Sequence, residues 1–593
     1  MGAQRIYSRA TPYPSLALFA LDATQTADLL YTAHGGYPPQ KLARYSHTDW
    51  RWSEVVFGPT IPPPTGMTAT ATTPNTTGIH TQAYFYVISG ISEDTPVQES
   101  RASAIFGAVN DLTLAGNFNT INLPALGVYD RFVIYKQQAG VFGYIGNTKE
   151  TTFRDENIVP ILSETPLEGY NPFVGDNNYP CSVALHQQRL TYGGTYNVIN
   201  GVWMSRSADF ENMDKSRPLR NDDSLLFSLV ADQVNAITHI LSLKELIILT
   251  GDGLWAVSGG GDNAAITPGS IMAARETGRG ALRTKPILVD EVMFYITSKG
   301  RMLRTLGFSF EIDGYKSDNV SIFAPHLFLE SIVRVVYQEE PHACLYCLRS
   351  NGTIVCLTWE MDQEVWGWSQ FEVNGFVEDI CVISEGGYDR LYAIIRRVLG
   401  GVEKRNLERM ALPGTPENAC HLDCSSTFIY DEASAATTVS NLHHLEGMAV
   451  TATYNGHASH GLTVTKGKIT IPEPSTQISV GLRYTGLIET LSPALQSQGG
   501  SMHVETQQIT DVVVRLIDAK GVSVGIGGYD DTYFEQMPDN LGGDVTQHRD
   551  YSTVDFTVNL PGDWKDESTL IIKQTEPFPA QIVGAFLGLR VSP

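Results

Sequence analysis

Residues 245–259 read ELIILTGDGLWAVSG: an apolar run, a Gly-Asp-Gly turn and a second apolar run. Glycine at the bend gives the positive φ that tight hairpin connections demand, so the stretch reads as two antiparallel strands. Five further stretches repeat the pattern. They are ADLLYTAHGGYPPQKLARY (27–45), QRLTYGGTYNVINGVWMS (188–205), EVMFYITSKGRMLRTLG (291–307), ACLYCLRSNGTIVCLTW (343–359) and RLYAIIRRVLGGVEKRNLERM (390–410).

With Gly193, Gly251, Gly300, Gly352 and Gly400 as landmarks, the steps are 58, 49, 52 and 48 residues. The first unit, at Gly35, lies 158 residues before Gly193, and setting aside the 108 residues Pro59–Pro166 restores a step of 50. A period near 50 with several short strands fits a β-propeller blade, whose sheet cannot cover both of its own faces and so stacks on its neighbours. The expected fold is all-β: a propeller of about six blades, with an inserted sandwich and C-terminal β-modules. A series of unrelated hairpins in a large sandwich is the bland alternative.

Composition agrees. The 593 residues carry a formal charge of −23, with 42% hydrophobic and 18% charged residues, 54 Gly and 30 Pro. At about 100–200 residues per domain, that length gives three to five domains. An acidic chain of this kind is a poor match for a protein that grips phosphates, which takes Lys and Arg. The apolar run Leu16–Leu21 falls far short of the ~20 residues of a membrane span, and no export signal is readable. Seven cysteines are too few and too clustered for a disulfide scaffold, and reduced thiols fit synthesis in a cytoplasm.

Five segments follow: 1–58, the first blade; 59–166, the insertion; 167–412, the remaining blades; 413–509, a small β-module; and 510–593, a sandwich-like module. The insertion opens with a Pro-rich linker, GPTIPPPTGMTATATTPNTT (58–77). Alternation at Tyr84, Tyr86 and Ile88, then at Phe132, Ile134 and Tyr135, marks strands of one small sandwich. Its order of Tyr-rich strand, acidic turn, second Tyr strand and closing TTFRD resembles a fibronectin type III module. At the C-terminal end, one module and two are both compatible with the pattern.

Residues with catalytic or ligating potential do not assemble into a site. Cys344 and Cys347 sit three apart on a strand and so face opposite sides, which leaves core packing rather than a shared metal. Cys420, His421 and Cys424 are a weaker zinc pattern, and His443, His444, His457 and His460 read as exposed histidines. Gly259–Gly261 and the run at Gly278–Gly280 open no helix and read as loops. Asp222/Asp223, Glu339/Glu340 and Asp530/Asp531 are adjacent pairs, which diverge on a strand, whereas a glycosidase needs two carboxylates facing one bond. SHTDWRWSEV (46–55) and SRSADFENM (205–213) lack the Gly and Thr-Trp of a sialidase Asp-box. Trp50 with Trp52, and Trp359 with Trp366 and Trp368, are sugar platforms or, more commonly, packing aromatics. No catalytic, cofactor-binding or metal-binding residue is assigned, and the chain is expected not to be an enzyme.

LLYTAHGGYPPQKLARYSHTDWRWSEVVF (29–57), the insertion, GVWMSRSADFENM (201–213) and DQVNAITHILSLKELIILTGDGLWAV (232–257) together resemble a known family. SIFAPHLF (321–328), YQEEP (337–341), LRSNGTIVCLTWEMDQEVWGW (348–368) and VEKRNLERM (402–410) extend the likeness. These stretches resemble the tail nozzle, or tail tubular protein B, family of short-tailed bacteriophages, over about Leu29–Met410 and more loosely to about Leu491. The resemblance implies a homohexameric tube at the distal end of the tail, below the adaptor or gatekeeper ring, with fibres or spikes around it. Such a tube retains the packaged genome and then conducts double-stranded DNA, without sequence reading, into the host. The location implied is the virion, after synthesis in the host cytoplasm.

Only 28 residues precede Leu29, fewer than in longer relatives, so the first blade is expected to be incomplete or closed by a strand from elsewhere. An acidic wall would repel DNA and keep friction low. Gating is expected from loops such as Ser258–Ser270 and Gln496–Ser501. The second reading is a tail-associated carbohydrate-binding or glycan-degrading propeller; the third is an unrelated protein-binding propeller.

Overall fold

The computed structural model describes residues 6–591 apart from 95–96, 232–233, 262–263, 412–419, 494–495, 498–499, 502–505, 529–533, 538–550, 561 and 563. The chain is all-β, and among the described residues helical turns are short 3-10 segments such as Ser15–Ala20 and Pro325–Phe328. None of their helices is long and apolar enough to cross a membrane. Two compact units divide at Ser331/Ile332. That division falls inside the segment 167–412.

Among the described residues the first unit holds, besides the sheets of the insertion and a two-stranded pair, four four-stranded antiparallel meanders with strands in chain order. The first comprises Asp22–Thr26, Leu29–His34, Tyr37–Ser46 and Asp49–Glu54; the second Ser182–His186, Arg189–Gly193, Gly201–Met204 and Leu225–Ser228. The third comprises Ile237–Ser242, Leu246–Thr250, Leu254–Ser258 and Met272–Thr277; the fourth Ile287–Val289, Val292–Ile296, Leu303–Ser309 and Gly314–Lys316. The second unit opens with a fifth such sheet (Ile332–Gln338, Cys344–Arg349, Ile354–Glu360, Val365–Phe371) and a sixth of three strands (Phe376–Glu385, Tyr388–Leu399, Val402–Arg409). In every sheet the hairpin quoted from the sequence is the pair of second and third strands. The first sheet is therefore complete from contiguous residues, and the short sheet is the sixth.

Stacking follows from side chains that alternate across strands apolar on both faces. Tyr31 and Ala33 of the first sheet pack with Val183, Leu190, Tyr192 and Trp203 of the second. The second turns Ala184, Val202 and Met204 toward Ile240, Ile248, Trp255 and Val257 of the third. The third turns Ile247, Leu249, Leu254 and Ala256 toward Met293, Tyr295 and Leu306 of the fourth. In the second unit, Tyr346, Leu348, Ile354 and Cys356 of the fifth sheet pack with Val377, Ile380, Leu391 and Ile395 of the sixth. Gly352 has a φ of +79°, as a hairpin glycine should. Gly35 does not serve that purpose: a Cβ there would come within 2.7 Å of Cys181 Sγ, so the need is for space.

The insertion places strands Thr68–Thr72, Phe118–Asn122 and Thr152–Asp155 opposite a five-stranded sheet that includes Gln82–Ser92, Arg131–Gln138 and Val141–Thr148. Ile121 faces Tyr86, Ile88, Phe132 and Ile134 across their shared core. Its base is clamped. Arg101 donates through Nε and Nη2 to Asp214 (2.9 and 2.8 Å) and through Nη2 to the Phe57 carbonyl, while Asp214 also accepts the Tyr170 N–H. The expected end at 166 falls within Thr165–Glu168, which pairs with Lys215–Arg217 beyond the insertion.

The C-terminal region is two modules, with separate cores around Leu442, Ile478 and Val480 and around Val512, Val514 and Leu570. Their expected boundary at 509/510 lies inside the strand Gln507–Ala519. Gly486–Glu489 pairs with Leu570–Gln574, so the last module already begins near Gly486.

Arg397, in the middle strand of the sixth sheet and 1% exposed, ties that sheet to the first of these modules. Its guanidinium donates to both oxygens of Glu408 and both of Asp423, each at 2.7 Å, and to the Asn374 carbonyl. Burial alone would lower its pKa, but the two carboxylates outweigh that and raise it. Removing one partner of such a buried network costs about 3–5 kcal/mol. Arg397→Leu should lower stability to urea by that order, and a loss below about 1 kcal/mol would contradict the role given to this cluster.

Candidate functional site

A buried polar cluster of the first unit lies where the first strands of its four meanders begin. Asp22 (first sheet) is 3% exposed. Its Oδ2 accepts the Ser182 hydroxyl (2.9 Å) and the Val183 N–H (3.1 Å) from the second sheet. His239 Nδ1, from the third sheet, stands 3.6 Å from Oδ2, and Lys285 Nζ, just ahead of the fourth, lies 3.1 Å from Oδ1. The Ser182 oxygen in turn accepts the Ile240 N–H (2.9 Å). Burial would push the Asp22 pKa up, yet His239, Lys285 and the Val183 N–H together hold it well below the usual carboxylate range.

Serine, histidine and aspartate meet here, but not as a hydrolytic triad. The serine proton goes to the aspartate rather than to imidazole, and His239 Nε2 is buried without a hydrogen-bond partner. What this arrangement does chemically is to hold an ionised carboxylate that keeps four strands in register. Nothing in the sequence signals it, because Asp22 and Ser182 are 160 residues apart.

The sequence candidates are dispersed. Cys344 pairs with Thr358 and Cys347 with Val355, on opposite faces of the hairpin. The neighbour of Cys344 is instead Cys356, whose thiol is the chief cause that lowers the pKa of Cys344, and Cys347 is wholly buried. Cys420 and Cys424 are buried, and burial foremost pushes the Cys424 thiol up to about 12. His460 sits between Thr451 Oγ1 (3.1 Å) and Glu576 Oε2 (3.0 Å), and the His443 carbonyl accepts from Lys404. Among the described residues no three His, Cys, Asp or Glu side chains converge as a metal site.

Asp223 is fully buried and accepts the Ser216 hydroxyl, the Ser216 N–H and the Arg220 N–H. Arg206 lies 3.0 Å from Asp223 and 2.7 Å from Asp222, so this acidic pair is structural. Glu339 and Glu340 are exposed, and Asp530/Asp531 lie outside the described residues. Trp359 pairs directly with Trp366, and Trp368 lies on the same face two residues on. A recess lined by Asn200, Asp252, Trp255 and Arg275 has room for about one water molecule, too little for a sugar.

Of the two loops expected to gate, Ser258–Ser270 is anchored through its described part. Ile266 is buried in the core between second and third sheets, its N–H donates to Gln187 Oε1 (2.8 Å), and the Ser270 hydroxyl donates to the Gly259 carbonyl. In the other, Gln496–Ser497 pairs with Gly500–Ser501, and 498–499 lie outside the described residues.

No family model matches the chain, and no curated protein matches it. Among solved structures it is similar to the WD40 repeats of RRP9, with 11% identity over 63% of this chain and 90% of that one and a TM-score of 0.27. It is also similar to the Neurospora crassa Pan2 WD40 domain (8% identity, 66% and 91%, TM-score 0.26). A third is the Pseudomonas aeruginosa periplasmic gluconolactonase PpgL (10% identity, 56% and 100%, TM-score 0.24).

His186, on the first strand of the second sheet, gives the cluster's surroundings a pH dependence. Its Nδ1 lies 2.8 Å from Ser242 Oγ, its Nε2 has no hydrogen-bond partner, and burial pushes its pKa down to about 4. From about pH 6.5 down to 4 the unfolded chain binds a proton that the folded one refuses, so stability falls as pH falls through that window. The loss amounts to about 3 kcal/mol. His186→Gln should flatten this part of the pH profile of urea unfolding, and an unchanged profile would contradict the assignment.

Proposed function

We propose that this chain is a structural subunit of the tail nozzle of a short-tailed bacteriophage. Six copies would form a tube that retains the genome and then conducts it. In this reading the six meanders are the blades of a propeller, the insertion is fibronectin type III-like, and the adaptor ring and the fibres or spikes are the partners. The reading is of a virion component without catalytic residues.

One observation carries it: six tandem meanders built on the sequence repeat, interrupted after the first by a two-layer insertion. That is the organisation of the stretches that resemble the nozzle family. The charge of −23 supports the conduit part, since a wall rich in carboxylates gives phosphates nothing to hold. A second reading, a glycan-binding or glycan-degrading tail module, draws on the three tryptophans sharing one face of the fifth sheet.

Antibody against the chain should label the end of the tail distal to the capsid in virions of the phage or induced prophage that encodes it. Absence from virions would overturn the proposal. Release of reducing sugar from host surface polysaccharide by the purified chain would favour the second reading.

A further inference from the structure

The fourth sheet carries opposite charges at its two ends. In an antiparallel meander the connections alternate between two rims. The loop between second and third strands shares one rim with the connections to the neighbouring sheets, and the other two turns share the opposite rim. At the first rim the Ser298 N–H donates to the Gly280 carbonyl (2.9 Å), and Ala281 bridges to Thr297. The loop between Val292–Ile296 and Leu303–Ser309 therefore lies against the connection arriving from the third sheet. Together these two loops expose Arg279, Lys299 and Arg301. At the opposite rim, about 17 Å away along Val292–Ile296, the turns at 290–291 and 310–313 expose Asp290, Glu291, Glu311 and Asp313.

Among the described residues none of these cations and carboxylates has an ion-pair partner, whereas their neighbours do: Arg275 holds Asp252 (2.7 Å) and Lys316 holds Asp318 (3.3 Å). Lys244, a cation on the acidic side, lies over the Phe308 ring at 5.3 Å. Apolar side chains stand in both sets. Phe310 and Ile312 are 92% and 59% exposed between the carboxylates, and Met302 and Ile322 are exposed on the basic rim. Such surfaces attract a partner of opposite charge and gain when their apolar groups are covered. An anionic polymer would satisfy the basic rim alone, and a cationic one the acidic rim alone. A second copy of this chain satisfies both.

We infer that copies of the chain associate head to tail, the basic rim of one fourth sheet on the acidic rim of the next. A contact between two different patches is heterologous, and its repetition closes into a ring when the rotation allows. It supplies the contact between neighbours in the proposed tube, and it rests on that reading for closure at six.

The test uses the full chain with each rim reversed. Arg279→Glu/Lys299→Glu/Arg301→Glu makes both rims acidic. Asp290→Asn/Glu291→Lys/Glu311→Lys/Asp313→Asn makes both basic, with asparagine kept where φ is +53° (Asp290) and +47° (Asp313). Either variant alone should weaken association about tenfold or more by light scattering, with circular dichroism unchanged. An equimolar mixture should regain assembly with the two variants in equal number, since every acidic rim then meets a basic one. Rings of six that both variants still form would overturn the inference and leave the tube standing. Rings of another order that need these charges would do the reverse. A mixture that fails as its components do would overturn the contact, as would an unsubstituted chain that stays single.

Discussion

Leu246, Ile248, Trp255 and Val257 face one way from the third sheet, Ile247, Leu249, Leu254 and Ala256 face the other, and each is less than a tenth exposed. A four-stranded meander built so cannot stand alone, because either face left in water forfeits about 25 cal/mol for each Å² of apolar surface. The rest of the unit follows from that requirement. Each sheet covers a face of the next, and, the insertion set aside, the chain supplies the next sheet about 50 residues on.

Apolar stacking is non-directional, so polar contacts must set the register. Asp22 does this at the start of the sheets by holding Ser182, Val183 and Lys285 at once. The Arg101–Asp214 pair does it for the insertion, drawing together Phe57 on the way in and Tyr170 on the way out. In the second unit Arg397 joins the sixth sheet to the module that follows, with its donors spread over Glu408, Asp423 and Asn374. These three clusters are costly to bury and effective only when complete.

The inner hairpins were legible because both strands are apolar and the bend is marked by glycine. The outer strands were not. Met272–Thr277 (MAARET) is largely exposed and has no alternation to betray it. The last module's first strand, Gly486–Glu489, finds its partner more than eighty residues later at Leu570–Gln574, which is why a boundary drawn from local pattern fell at 509. The faces of Cys344, Cys347, Trp366 and Trp368 could be read, since they depend only on strand period. The proximity of Cys344 to Cys356 could not, because it depends on cross-strand register. The ionic clusters have no local signature: Arg397 sits in AIIRRVL beside Arg396 with nothing to tell them apart.

These polar clusters hold sheets and modules in place, and the proposed tube is an assembly of chains built in this way. Single-particle imaging of the purified full-length chain, scored for rotational symmetry, tests that account most directly. It predicts rings of six copies of the 65.0 kDa chain around a central hole. Rings of another order, or single chains only at high concentration, would contradict it.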